Sequence, residues 1–260
     1  IDMTDEQLNV AKKYTTEFCK NKMGYKRVNL KFIKGYIECL DKYIENNSID
    51  ICISNCVINL SPKKDAVLKG VWNALKYGGE FYFSDVYCDV RLNDTIKNNP
   101  ILYGECLAGA LYIEDFRRLC QKIGFLDPRI IKIDRITVNN NELKDILGNA
   151  NFYSITYRLF KLRDIEDKCE DYGQIAVYNG NIKGNKHFYD LDDHHRFYTN
   201  KPMLVCGNTA QMVGDTWLKP YFNVVGNMKT HYGLFDCSPV TPKTNANNDD
   251  TNAACAPGAC

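Results

Sequence analysis

The sequence has almost no net charge, no long apolar run and none of several short motifs that mark common enzyme or zinc-binding classes. Its formal net charge is +1 over 260 residues, so no global field draws in nucleic acid or an anionic membrane. No apolar stretch approaches the ~20 residues of a membrane span. The first residues lack the basic and apolar regions of a signal peptide, and a cytoplasmic location is expected. There is no Cys-x-x-Cys, and His194-His195 are adjacent rather than at a ligand spacing, which excludes the usual zinc patterns. That pair reads as solvated. No Gly-x-Ser-x-Gly elbow, no Gly-x-x-x-x-Gly-Lys phosphate loop and no internal repeat occur.

Cysteine, by contrast, is abundant. The chain has 12, in a composition that is 45% hydrophobic and 25% charged, ordinary for a globular protein with a sizeable core. Cys39, Cys52 and Cys120 fall inside apolar patterns, without the short, loop-rich framework of disulfide-stapled domains. Most of the thiols therefore read as small buried hydrophobes in a reducing cytosol.

Strand and helix signals alternate along the chain. Ile1-Asp2-Met3 reads as the end of a strand, followed by a helix capped by Thr4 with Gln7 three residues on and a stripe of Leu8, Val10, Ala11 and Tyr14. Residues 28–37 and 49–57 read as strands, the second buried and parallel. Ser61-Pro62 opens a helix over 63–76 that stops at Gly78-Gly79. Residues 80–86 are again a strand. A helix carries Ile113, Phe116, Leu119, Cys120 and Ile123 and ends at Gly124. Strands over 129–138 and 152–161 flank a short helix at 142–147. This alternation predicts an α/β, doubly wound parallel sheet with an antiparallel finish. From about Cys169 the composition shifts to Tyr, Asn, Gly, His and Asp, predicting a smaller α+β region with a helix around 209–219. The stretch after Asp236 is too polar to form a packed core.

Several residues could carry chemistry. Cys56 ends the strand over 49–57, where open α/β sheets place their ligands. Cys106 follows fifty positions later between Gly104 and Gly109. Thiolates at strand ends or helix starts are soft ligands or nucleophiles, although two unrelated buried thiols would give the same pattern. Asp2 could accept ribose hydroxyls or simply start a helix. Glu38 could face an adenine or ribose edge or be a loop carboxylate. Asn55 could offer its amide to a polar ligand or satisfy a turn. Cys255 and Cys260 could capture a thiophilic ligand, exchange disulfides or take no part.

Five runs then give a resemblance: Ile-Asp-Met-Thr-Asp-Glu-Gln at 1–7, Gly-Tyr-Ile-Glu at 35–38, Ser-Asn-Cys-Val-Ile-Asn-Leu at 54–60, Gly-Gly-Glu-Phe-Tyr-Phe-Ser-Asp-Val-Tyr at 78–87 and Gly-Glu-Cys-Leu-Ala-Gly-Ala-Leu-Tyr at 104–112. Together they resemble the arsenite methyltransferases, densely to about residue 165 and more thinly to 236. The resemblance implies a class I, Rossmann-like methyltransferase sheet over 1–165 that lacks its first strand and glycine-rich loop. A smaller α+β region over 166–236 and a disordered cysteine-containing tail over 237–260 would follow. It implies S-adenosylmethionine held by Asp2, Met3, Gln7, Ile37, Glu38, Asn55 and Val57. Cys56 and Cys106 would be the catalytic thiols that bind trivalent arsenic or its thiol conjugates. It further implies thioredoxin or glutathione as reductant, and a monomer. The expectation is an N-terminally incomplete copy of a longer enzyme, poor at binding the cofactor alone. Two readings stand beside it: a methyltransferase with another small-molecule acceptor, and a non-catalytic thiol protein that sequesters arsenite.

Overall fold

Residues 1–237 are described by the computed structural model. Helix α1 (Asp5–Asn21) has Asp5 and Glu6 in its first turn and Lys20 in its last, matching the helix dipole. Thr4 precedes it but closes no capping box. Its amide and hydroxyl instead donate to Asp2 Oδ1 at 2.8 and 2.6 Å, a charged acceptor nearer than the far side of a helical turn. Of the four stripe residues only Leu8 is buried, while Val10 and Tyr14 are each 54% exposed. The strand expected over 28–37 does not form. Its alternation has no ladder to join, because a single parallel bridge from Asp2 to Lys34 is the pairing described there. A 3-10 helix, Ile37–Lys42, follows directly.

Strand β1 (Ile49–Asn55) leads through a 3-10 turn (Ile58–Leu60) to helix α2 (Lys64–Ala74), and strand β2 (Leu75–Cys88) starts at the next residue. The helix therefore ends before Gly78-Gly79, and those glycines lie inside β2. A Cβ on Gly79 would sit 2.9 Å from the carbonyl oxygens of Asp50 and Lys76, so this pair lets two backbones approach and does not terminate a helix. Helices α3 (Asp94–Lys97) and α4 (Pro100–Gly104) precede the short strand β3 (Leu111–Tyr112) and helix α5 (Ile113–Ile123). Strand β4 (Arg129–Ile136), helix α6 (Asn141–Leu147) and strand β5 (Phe152–Phe160) complete this part.

The main sheet runs β1-β2-β5-β4, with β3 pairing the far end of β2. β1 and β3 are parallel to β2, and β5 is antiparallel to both β2 and β4. This is a mixed α/β, Rossmann-like sheet with the antiparallel finish that the late strands suggest. Phe81, Phe83, Tyr87, Phe116 and Tyr157 fill its core against α2 and α5, with rings stacked or edge-on. β1 is not the buried strand expected. It stands at the end of the sheet order, and Ile51 and Ile53 are 55% and 77% exposed.

Beyond β5 lie small antiparallel sheets. Strand β6 (Glu170–Asp171) pairs β12 (Gly233–Leu234), and β8 (Phe188–Asp190) pairs β9 (Arg196–Tyr198). Strand β7 (Gln174–Tyr178) lies between β10 (Pro202–Val205) and β11 (Phe222–Val225). Helix α7 (Gly207–Gly214) starts two residues before the predicted helix, because Cys206 caps it, and ends five residues earlier. A second core of Phe160, Tyr178, Leu191, Phe197, Met212 and Leu218 holds this region. The buried pair Glu80–Arg158 staples it to the sheet. Arg158 donates to both Glu80 oxygens at 2.8 and 3.0 Å and to Tyr189 Oη and the Leu191 carbonyl, and Trp217 Nε1 donates to Glu80 at 2.6 Å.

Candidate active site at the carboxyl edge of the sheet

The chain leaves β1 through Cys56, which has φ = 51° and donates its amide to the Ser84 carbonyl of β2 at 2.9 Å. Cys106 follows α4 with φ = 60° and donates its amide to the Tyr103 carbonyl at 3.0 Å. A non-glycine residue in the left-handed region costs on the order of 1–3 kcal/mol and persists only where its surroundings enforce it. Both thiols singled out in the sequence share this rare backbone state. Cys56 is half-buried and Cys106 is buried.

The two loops that carry these thiols are fastened to each other. Tyr103 Oη donates to the Leu60 carbonyl at 2.6 Å. Gly109 lies so close to the Asn59 backbone that a Cβ would fall 2.1 Å from its carbonyl oxygen. Asn59 is in turn fixed to the end of β2: its amide donates to Asp85 Oδ2 at 3.0 Å and its side chain donates to the Val86 carbonyl. Lys64 Nζ donates to the Asn59 and Ser61 carbonyls at 3.0 and 2.9 Å. Burial pushes the Asp85 carboxyl up and the Lys64 ammonium down, as expected for charges drawn from water. Cys106 packs with Val86, Cys88, Leu102 and Phe152 at the same end of β2. Asn59, Asp85, Tyr103 and Gly109 were thus missed as supports. Asp85 at a strand end and Gly109 near a thiol were visible, but their contacts cross 26 and 50 residues of sequence.

Two of the expected cofactor residues are linked to neighbouring loops. Asp2 bridges Lys34, next to Gly35, and hydrogen bonds from the Thr4 side chain and then its amide hold the Asp2 carboxyl below its ordinary value. Glu38 accepts from Ser61 Oγ at 2.5 Å, linking the 37–42 turn to the loop beyond Cys56. Met3, Gln7, Asn55 and Val57 are exposed, and Ile37 is half-buried. Two carboxylates, two primary amides and apolar side chains suit the ribose, amino-acid and adenine parts of a nucleoside sulfonium. The donor chemistry fits that group. Cys52, lower on β1, is pushed up to about 11 by burial and is a core thiol rather than a nucleophile.

Of the pair expected to be solvated, His194 is exposed but His195 is not. His195 is 3% exposed, with Nδ1 at 2.8 Å from Asp192 Oδ1 and 3.2 Å from Arg129 Nη1. Asp192 is buried, which opposes its ionisation. The His195 hydrogen bond and Arg129 outweigh that and hold it well below the usual carboxylate range. His194 faces Asp193 at 2.6 Å, and that contact raises its pKa. These residues lie at the start of β4, away from the carboxyl end of β2. Cys255 and Cys260 fall outside the described residues.

A family model described as a methyltransferase domain matches residues 1–151. The arsenite methyltransferase of Aquipseudomonas alcaligenes is 47% identical over 91% of this chain and 68% of its own length. The mouse arsenite methyltransferase is 44% identical over 85% of this chain, which spans 58% of the mouse protein. The crystal structure of an arsenic(III) S-adenosylmethionine methyltransferase from Chlamydomonas reinhardtii aligns with a TM-score of 0.87 at 55% identity. That alignment covers 90% of this chain and 79% of the algal one.

Proposed function

Because this chain belongs to the arsenite methyltransferase family, we propose that it serves methyl transfer from S-adenosylmethionine to thiol-bound trivalent arsenic, with Cys56 and Cys106 as arsenic ligands. The observation that carries the reading is their shared left-handed backbone on two loops locked together at one end of β2. Enforced strain at two thiols is the mark of a positioned site rather than of core filling. Thiolate sulfur suits soft trivalent arsenic, replaces its oxygens and leaves its lone pair unengaged. S-adenosylmethionine, when bound, supplies an electrophilic sulfonium methyl. The chain's own part is to hold arsenic in one orientation and to exclude water, which makes transfer a positioned, unimolecular event.

Asp2, Met3, Gln7, Ile37, Glu38, Asn55 and Val57 are the residues we assign to cofactor binding, for their carboxylate, amide and apolar groups. Each transfer formally oxidises arsenic by two electrons, so a thiol reductant of the thioredoxin or glutathione kind completes the cycle. We read residues 1–165 as the methyltransferase region and 166–236 as a smaller region beside it. We read the setting as reducing and cytoplasmic, in which thiols stay available to bind arsenic.

The test is methyl transfer from labelled S-adenosylmethionine to arsenite in the presence of glutathione. Methylated arsenicals are expected, and Cys56→Ser and Cys106→Ser should each reduce their formation about 100-fold or more, the scale of losing a group that positions the reactant. Unchanged transfer in both variants would overturn the arsenic assignment and favour another acceptor.

A further inference from the structure

A second group of thiols lies at the other end of the molecule. Cys169, Cys206 and Cys237 are separated by tens of residues, yet their sulfur atoms lie within 4.8 Å of one another. The fold brings them together by two devices. The β6–β12 pairing continues through a hydrogen bond from the Phe235 amide to the Cys169 carbonyl at 2.8 Å, and the Cys237 amide donates to the Phe235 carbonyl. Cys206 caps α7, with its sulfur 3.4 Å from the Thr209 amide and 3.2 Å from Thr209 Oγ1.

Arg129 backs the cluster. Its Nη2 donates to Cys206 Sγ at 3.8 Å, to Thr209 Oγ1 at 3.0 Å and to Asp127 at 2.7 Å, while Nη1 donates to Asp192 at 2.9 Å. Hydrogen bonds from Cys169 and then Cys237, with help from Arg129 and Thr209, hold the Cys206 thiol far below its ordinary value. A cavity of about 280 Å³ opens onto Cys169, Cys237, Arg129 and His194, giving a small solute access to two of the three cysteines, with Cys206 buried behind them.

We propose that Cys169, Cys206 and Cys237 form a second arsenic site, a trithiolate that captures trivalent arsenic apart from Cys56 and Cys106. Three sulfurs are a soft donor set, and oxygen-seeking cations such as magnesium or calcium do not select it. A structural zinc ion takes four ligands, whereas the described cluster offers three, the number that a pyramidal arsenic centre uses. Charge points the same way. Arg129 is one positive charge set against the Asp127 and Asp192 carboxylates and the Cys206 sulfur, so a centre that adds no further negative charge suits the cluster. Trivalent arsenic with three thiolates is neutral; zinc with three thiolates carries a negative charge. Capture exchanges ligands without redox change: three As–O bonds of arsenous acid break, three As–S bonds form, and three thiols supply the protons that leave with three hydroxyls as water. Where Cys206 starts as a thiolate, solvent supplies its proton.

The inference rests on the reading that this chain meets trivalent arsenic, and the test keeps the two sites apart by working in the full chain carrying Cys56→Ser and Cys106→Ser. Arsenite is added, excess is removed by desalting, and bound arsenic is measured per chain and by X-ray absorption at the arsenic edge. We expect one arsenic with three sulfur neighbours and no oxygen. Adding Cys206→Ser should abolish retention. Cys237→Ser, at a half-buried position outside α7, should weaken it by at least the roughly 10–100-fold that even outer-sphere changes cost at metal sites. Circular dichroism of both variants checks that the fold is intact. Retention undiminished by Cys237→Ser and Cys206→Ser, no arsenic on the double variant, or stoichiometric zinc that arsenite does not displace would each overturn the proposal. A failure of methyl transfer at Cys56 and Cys106 would leave this readout unmoved.

Discussion

At the residue scale, Cys56 and Cys106 are legible in the sequence as thiols at a strand end and between glycines, but their positive φ is not. The left-handed state arises from contacts made by other loops, and no local pattern around a cysteine encodes it. It has a measurable consequence. With the thiol removed, glycine relieves a strain that alanine keeps, so Cys56→Gly should be more stable than Cys56→Ala by about 1 kcal/mol. Urea denaturation of the two variants checks this, and an alanine variant equal to or more stable than the glycine one would remove strain from the account. Gly109 is a second residue whose role is hidden until the loops meet. A methyl group there would collide with the Asn59 carbonyl. Gly109→Ala should cost about 2 kcal/mol, within the range of overpacking, and weaken arsenite binding through Cys106. Calorimetric melting and arsenite titration of the variant measure the two effects.

At the element scale, periodicity served well where a partner strand or core was available and failed where none was described. The α5 helix, β4, α6 and β5 follow their apolar patterns closely, because each packs on the sheet. The 28–37 stretch has strand-like alternation but no ladder, and the α1 stripe finds one buried position. Burial along β2 and β5 also hides a polar decision. Glu80 and Arg158 face each other inside the molecule and receive Trp217 and Tyr189 from the second region. Glu80→Ala leaves a buried guanidinium without its carboxylate and should destabilise the chain by about 3–5 kcal/mol. Chemical denaturation followed by Trp fluorescence would register it, and a loss below about 1 kcal/mol, the worth of an exposed pair, would contradict the staple.

At the scale of the whole molecule, the proposed site at the carboxyl edge and the Arg129 cluster at the start of β4 belong to opposite ends of one sheet. The second of these was invisible to motif reading because its residues come from 127–129, 169, 192–195, 206–209 and 237. Asp192 ties that assembly to pH. Its folded carboxyl is held well below the ordinary aspartate value of 3.8, so the native state binds its proton more weakly than the unfolded chain. The stabilisation is complete above the unfolded value and is lost as pH falls through the folded one. Between pH 5 and 3 the wild-type stability should therefore decline more steeply than that of Asp192→Asn, which has no proton to take up. Urea midpoints across that range decide it; parallel slopes would show that Asp192 contributes no linkage.

The position of β1 also bears on how the protein behaves at concentration. Its outer side has no strand partner among the described residues, and Ile51 and Ile53 stand in solvent along it. An unpartnered, β-branched strand edge is a template for another chain, and beyond the irregular register at Ile49–Ile51 and the Asp50–Lys76 pair nothing on β1 blunts it. Self-association through this edge should limit solubility. Ile53→Lys should raise the concentration at which light scattering first grows, without altering the sheet behind it.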